Sequence, residues 1–103
     1  MARFVLMYHD GDTPEEPTLE TMDSWMSWFD SLGDAVVDMG SPFRGSATIA
    51  PGGEATKGSG PHQVTGYTVI EAPDMEAAAA LAGGCPGLAS GGSVRLYEGA
   101  QMG

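Results

Sequence analysis

The residues that could carry chemistry are few and lie far apart in the sequence. His9 follows a short apolar stretch and is suited to proton transfer at neutral pH, since the unperturbed pKa of histidine is about 6.5. Asp38 stands near the end of a long helical pattern, from which it could reach a neighbouring loop. In an active site, His9 could act as the general base and Asp38 as the carboxylate beside it. The alternative for His9 is a solvent-facing histidine at a strand end.

A second group of side chains could shape a ligand site. Aromatic residues and arginine are enriched where proteins bind their partners. The candidates of this kind are Trp28, Tyr67, Arg95 and Tyr97. The alternatives are packing at a helix edge for Trp28 and packing in the core or a dimer interface for the tyrosines.

Cys85 and His62 are weaker candidates. Cys85 follows the end of a predicted helix, where the dipole raises a thiol pKa, so we expect a buried structural cysteine. His62 lies in a Gly- and Pro-rich loop, where it could close over a site or be solvated. Two histidines at no recognised spacing predict no metal site, and no glycine run has the strand-to-helix context of a phosphate loop. We therefore expect no metal and no other cofactor.

Composition limits the partners. The chain has 103 residues, which predicts a single domain over residues 1–103. Its net charge is −10 with only four basic residues, which argues against nucleic acid and anionic membranes as partners. A lone cysteine excludes an internal disulfide framework. No signal peptide or membrane-spanning segment is evident, so a cytoplasmic protein is expected.

Thr18 to Gly40 is the segment with the clearest period and is predicted to be one long helix. Residues in one stripe of the helical wheel are apolar: Met22, Trp25, Met26, Phe29, Leu32, Val36 and Met39. Trp28 lies at the edge of this stripe. Gly33 lies within it, which we interpret as close approach to a strand.

The remaining segments are predicted to form strands, loops and a second helix. A single helical turn is expected near residues 13–16. Strands are predicted at Arg3 to His9, about 44–50, Val64 to Ala72 and Ser93 to Glu98; residues 51–63 are predicted to be a loop and Met75 to Ala82 a helix. The order β-α-β-β-α-β predicts a ferredoxin-like α+β sandwich, with an antiparallel sheet and two helices on one of its faces. The other face would be bare, and pairing of two copies would cover it.

Four segments in this order resemble the YCII-related (DGPF) family. They are MARFVLMY, the run from Trp25 to Pro42, GYTVIEAPDMEAA and GCPGLASGGSVRLYE. The resemblance covers nearly the whole chain and implies a dimeric α/β-barrel, in which two ferredoxin-like subunits pair their sheets over a cleft. The Asp-Gly-Pro-Phe motif that names the family is absent; its expected place falls in or near Thr56 to Pro61. No role tied to that motif is transferred.

Two functions remain open. One is a homodimeric binding or regulatory module that holds a small molecule in the dimer cleft, or a protein at the edge marked by Trp28. The other is a cofactor-independent enzyme that moves a proton on a small organic substrate, with His9 as base and Asp38, Tyr67 or Trp28 shaping the pocket. The fold serves both kinds of protein, so it does not decide between them.

Overall fold

The computed structural model describes residues 1–9, 19–58, 64–89 and 91–100. Its elements are the strands β1 (Ala2–His9), β2 (Val36–Asp38), β3 (Ala47–Ile49), β4 (Ala55–Lys57), β5 (Val64–Ala72) and β6 (Ser93–Glu98), and the helices α1 (Leu19–Leu32) and α2 (Met75–Ala82). Short 3₁₀ turns cover Gly33–Ala35 and Pro86–Leu88. The turn expected near residues 13–16 and the candidate His62 lie outside the described residues, as does Thr18, the first residue of the predicted long helix.

The main sheet has the strand order β2-β5-β1-β6, and its neighbouring strands are antiparallel. This order is that of the ferredoxin-like fold, so the predicted α+β class is confirmed. The pairing of two subunits stays a prediction.

Both helices cover the same face of the sheet. Side chains alternate along a strand, and Phe4, Leu6 and Ile70 on one face are fully buried. Their cluster contains Trp28 and Leu32 from α1 and Ala78 and Ala82 from α2, with Ala72 and Cys85. Full burial of a large apolar side chain contributes about 1.5–3 kcal/mol, so this face of the sheet holds the chain together.

The predicted long helix from Thr18 to Gly40 is wrong in its second half. The helix ends at Leu32, because Gly33 takes a φ of +56° that other residues adopt only at a cost. Val36 then continues in an extended strand opposite Ile70. The helical wheel placed Val36 and Met39 on the buried stripe, but a period alone does not show where a helix stops.

The buried face of α1 is also rotated from the predicted one. Trp28, expected at the edge of the stripe, is buried, whereas Met22 and Met26 are more than half exposed. Partly buried Trp25 and Phe29 complete the inward stripe with Trp28 and Leu32. The Trp28 indole lies at the C-terminal end of α2, where its N–H donates to the Leu81 carbonyl and a Cβ at Gly84 would lie 3.2 Å from its Nε1.

Two further predictions need correction. The strand expected at about 44–50 is not part of the main sheet, where β2 takes its place; only β3 lies there, paired with β4 in a separate exposed hairpin. β4 falls inside the predicted loop 51–63. Its turn is built on Gly53, with a φ of +91° and a hydrogen bond from its N–H to Ala50 O at 2.8 Å.

Candidate functional site

Five of the predicted site residues share the sheet face opposite the helices: His9, Asp38, Tyr67, Arg95 and Tyr97. Residues paired across antiparallel strands point to the same side. The register pairs Met7 with Tyr67 and Arg95, and it pairs Val5 with Val69 and Tyr97. His9 continues the series on β1, and Asp38 is paired with Val69. We call this surface the open face; its side chains are those of Arg3, Val5, Met7, His9, Asp38, Tyr67, Val69, Glu71, Arg95 and Tyr97.

The centre of the open face is apolar and its border is polar. Val5, Met7 and Val69 are only partly buried, although they lie on central strands. Arg95 and Tyr97 at one edge are exposed, and so is Asp38 at the other. A half-buried apolar centre with a polar border is the usual anatomy of a binding surface.

Asp38 and Tyr67 are brought together. The Tyr67 hydroxyl donates a long hydrogen bond to Asp38 Oδ2 at 3.3 Å, and the Gly40 N–H donates to Asp38 Oδ1 at 2.9 Å. The negative charge of Asp38 raises the pKa of Tyr67 from its usual value of 10.0. Phe43 stacks on Tyr67 with ring centroids 5.8 Å apart. The carboxylate is thus oriented by two donors while it remains exposed.

Gly40 is the residue that allows this approach. Its φ is +76°, and a Cβ at this position would lie 1.7 Å from the carbonyl oxygen of Tyr67. Only glycine lets the backbone after β2 lie so close to β5. The predicted long helix ended at Gly40, whereas Gly40 follows a strand and shapes the Asp38–Tyr67 pair.

His9 and Asp38 do not meet within the chain. Asp38 and Val5 lie in one cross-strand row, through Val69, and two strand spacings separate them by about 10 Å. His9 is four residues further along β1, which adds about 13 Å along the strand. The two Cα atoms are therefore about 16 Å apart on a flat-sheet estimate. This distance does not allow a direct base–carboxylate pair.

His9 lies near Arg95 instead. A depression of about 550 Å³ is lined by His9 and by Ser93, Val94, Arg95 and Leu96 of β6. The other arginine of the open face, Arg3, has its Nε 3.6 Å from Glu71 Oε1. Arg95 is therefore the cation of the open face that faces this depression.

Trp28 lies in the core and away from the open face. Its indole N–H donates to the Leu81 carbonyl at 3.3 Å, and its ring packs edge to face with Trp25 at 5.7 Å and with Tyr8 at 6.4 Å. The proposed ligand role of Trp28 stays a prediction, but its polar atom already has a partner inside the subunit.

A buried polar chain beneath the sheet was missed by the sequence analysis. The Tyr8 hydroxyl donates to Thr68 Oγ1 at 2.6 Å, and the Thr68 hydroxyl donates to the Met39 carbonyl at 2.9 Å. Thr68 is fully buried, and burial raises the pKa of Tyr8 to about 12, against the opposing effect of its hydrogen bond to Thr68. The signal was available: Tyr8 alternates with buried Phe4 and Leu6, and a buried phenol needs an acceptor.

Cys85 is buried, as the sequence predicts, and burial raises the pKa of its thiol. A protonated, buried thiol is a poor nucleophile.

Two kinds of feature are absent from the described part of the chain. Over residues 1–9, 19–58, 64–89 and 91–100, no group of three or more His, Cys, Asp or Glu side chains could hold a metal ion. In the same part of the chain, no helix has the length and apolar character needed to cross a membrane.

The sheet order and the two helices on one face define the class of this protein as a ferredoxin-like α+β domain. Comparison with protein-family models matches the YCII-related domain over residues 2–99. The chain therefore belongs to the YCII-related domain family, and the predicted resemblance is confirmed. Comparison with curated proteins finds no match.

Proposed function

We propose that the protein is a homodimer that pairs its open faces and binds a small organic molecule in the cleft between them. The observation that carries the proposal is the shared placement of His9, Asp38, Tyr67, Arg95 and Tyr97 around the apolar centre of the open face. A partner subunit would cover Val5, Met7 and Val69 and would enclose the polar border. A ligand of this site has an apolar body and a few polar groups, as small-molecule sites generally require.

The geometry favours binding over proton-transfer catalysis by His9 and Asp38. A general base needs a partner within hydrogen-bond reach or through one water, and these two residues are separated along and across the sheet. The oriented carboxylate of Asp38 and the adjacent Tyr67 hydroxyl serve recognition of a polar ligand group without such a partner.

The test combines oligomeric state with ligand binding. Analytical ultracentrifugation measures the dimer, and ligand-detected NMR with a library of small aromatic and aliphatic acids, amides and alcohols measures binding. Met7→Glu places a charge in the apolar centre, and Met26→Glu is the matched control on α1, where Met26 is 53% exposed. We expect Met7→Glu to abolish both the dimer and ligand binding, and Met26→Glu to retain both.

Two further variants locate the ligand. His9→Ala and Tyr97→Ala are expected to weaken binding of any library member while the dimer persists. If no library member binds the wild-type dimer, or if Met7→Glu binds as the wild type does, the proposal is wrong.

A further inference from the structure

The two edges of the open face carry opposite charges. Asp38 lies on β2 and Arg95 on β6, and these strands are the two edges of the sheet. Among the residues that the structure describes, Arg95 forms no ion pair, whereas Arg3 on the same face contacts Glu71. The chain has a net charge of −10 and only four basic residues, so Arg95 is one of few cations among many acidic groups.

A two-fold axis limits which strands of one open face can lie over which strands of the other. In an isologous interface, residue i contacts residue j and j contacts i. An axis that is parallel to the strands and passes between β1 and β5 places β2 of one subunit over β6 of the other. It also places β5 over β1, so that Val69 faces Val5 of the partner subunit.

We propose that two copies pair in this orientation and that Asp38 of each subunit binds Arg95 of the partner subunit. The proposal rests on the dimer proposed above and specifies how its subunits are arranged. The partner's Arg95 completes the Asp38–Tyr67 pair, because no basic side chain among the described residues forms an ion pair with the Asp38 carboxylate.

The distances permit the contact. Asp38 lies in the row of Tyr97, and Arg95 lies two residues along β6 from that row. An offset of about 7 Å along the strand and a sheet separation of about 10 Å place the two Cα atoms about 12 Å apart. An extended arginine and an aspartate can span this distance with a charge-assisted hydrogen bond of about 2.8 Å.

The alternative orientation is unfavourable. An axis in the plane of the interface but perpendicular to the strands places β2 over β2, so the acidic edges of the two subunits lie together. Facing acids repel, and two chains of charge −10 already repel each other. It also places β6 over β6, so that Arg95 lies on the same edge as Arg95 of the partner subunit and away from Asp38.

The test is a charge swap measured by sedimentation equilibrium on the full chain. Asp38→Arg and Arg95→Asp are each expected to raise the dimer Kd by at least about tenfold. The double variant restores the opposite charges and is expected to return the Kd to within about threefold of the wild type. Asp38→Asn keeps an acceptor for the Gly40 N–H, so its dimer Kd is expected to lie between those of the wild type and Asp38→Arg.

Matched controls separate the effect of the Asp38–Arg95 contact on the dimer Kd from the effect of the net charge. Asp34→Arg and Lys57→Asp make the same charge changes on the exposed 3₁₀ turn after α1 and on the hairpin, and they are expected to leave the Kd within about threefold once the net-charge effect is included. Circular dichroism confirms folding of each variant.

The outcomes distinguish this inference from the proposed function. A wild-type protein that stays monomeric at every concentration overturns both. A wild-type dimer whose double variant is no tighter than the single variants overturns the Asp38–Arg95 pairing and leaves the proposed cleft intact.

Discussion

The two faces of the central sheet are built from alternate residues of the same strands and have opposite characters. On β1, Phe4 and Leu6 have no exposed surface, whereas Val5 and Met7 between them are only partly buried. The covered face packs against two helices, and its buried hydroxyls are joined in the Tyr8–Thr68–Met39 chain. On the open face, the Tyr67 hydroxyl instead meets an exposed carboxylate.

The difference places most of the packing that stabilises the subunit on one face of the sheet. The covered face stabilises the subunit through burial and satisfied hydrogen bonds. The open face contributes less to folding, so its residues can be chosen for association and recognition. Substitutions on the two faces should therefore differ in size and in their dependence on protein concentration.

The largest contrast is expected between neighbours on β1. Phe4→Ala should lower the free energy of unfolding by about 3–5 kcal/mol at any protein concentration, because it opens a cavity in the core. Val5→Ala should cost less than about 1.5 kcal/mol in dilute solution and more as the concentration rises, because its partner would be a second subunit. Urea denaturation at several concentrations measures both. If Val5→Ala in dilute solution lost as much free energy of unfolding as Phe4→Ala, the open face would be packed within the subunit.

A similar contrast concerns the two glycines that flank β2. Gly40→Ala should cost about 2–5 kcal/mol, because the new Cβ adds a backbone collision to left-handed strain. Gly33 also has a positive φ, but a Cβ there meets nothing within 4 Å, so Gly33→Ala should cost only about 1–2 kcal/mol. Thermal and urea denaturation compare the two variants. Equal losses would show that β2 can move away from β5 without cost.

Tyr8 and Thr68, which share a buried hydrogen bond, should be coupled in their effects on the free energy of unfolding. Thr68→Val removes the acceptor of Tyr8 and the donor to Met39, so it should cost about 1–3 kcal/mol. Tyr8→Phe leaves the Thr68–Met39 bond in place and should cost about 0.5–1.5 kcal/mol. The double variant should cost less than the sum of the two single variants, which a double-mutant cycle measures. Strict additivity would contradict the direct Tyr8–Thr68 hydrogen bond.

The smallest effect concerns alkaline pH. The pKa of Tyr8 is about 12 in the folded chain, above its usual 10.0, so the folded state holds this proton more tightly than the unfolded state. The resulting stability is complete below about pH 10 and is lost as pH rises toward the folded pKa. The pKa of Tyr67 is also raised, by Asp38, but its position on the open face makes the effect smaller.

Tyr8→Phe and Tyr67→Phe test this difference. Urea denaturation at about pH 9 and about pH 11 should show a smaller alkaline loss of stability in Tyr8→Phe than in the wild type. Tyr67→Phe should resemble the wild type more closely. Both variants retain Cys85, so ionisation of the thiol is present in each comparison. An unchanged alkaline loss in Tyr8→Phe would place the titrating group elsewhere.

Local pattern was enough to predict much of the fold. The alternation in β1, β5 and β6, the position of α2, and the burial of Cys85 all follow from short-range sequence features. The placement of Val5 and Met7 on the face opposite Phe4 and Leu6 follows from the same alternation. Short-range rules apply here because each depends on residues a few positions apart.

The errors arose where one local pattern fits two structures. Val36 suits the inward face of a longer helix as well as a strand, and only its pairing with Ile70 selects the strand. The orientation of α1 depends on tertiary contacts of Trp28, which is buried in the core and donates to the Leu81 carbonyl. The hairpin at 47–57 lacks a clear period because both of its strands are exposed.

The sequence by itself determined the fold class, the family and the set of side chains that could act in a site. Only the tertiary structure decided which of them lie together. Strand register placed Asp38 beside Tyr67 and far from His9, and it placed Arg95 at the opposite edge of the same face. The physical reason is that register depends on contacts between residues distant in sequence, and a shift of one residue would move each side chain to the other face.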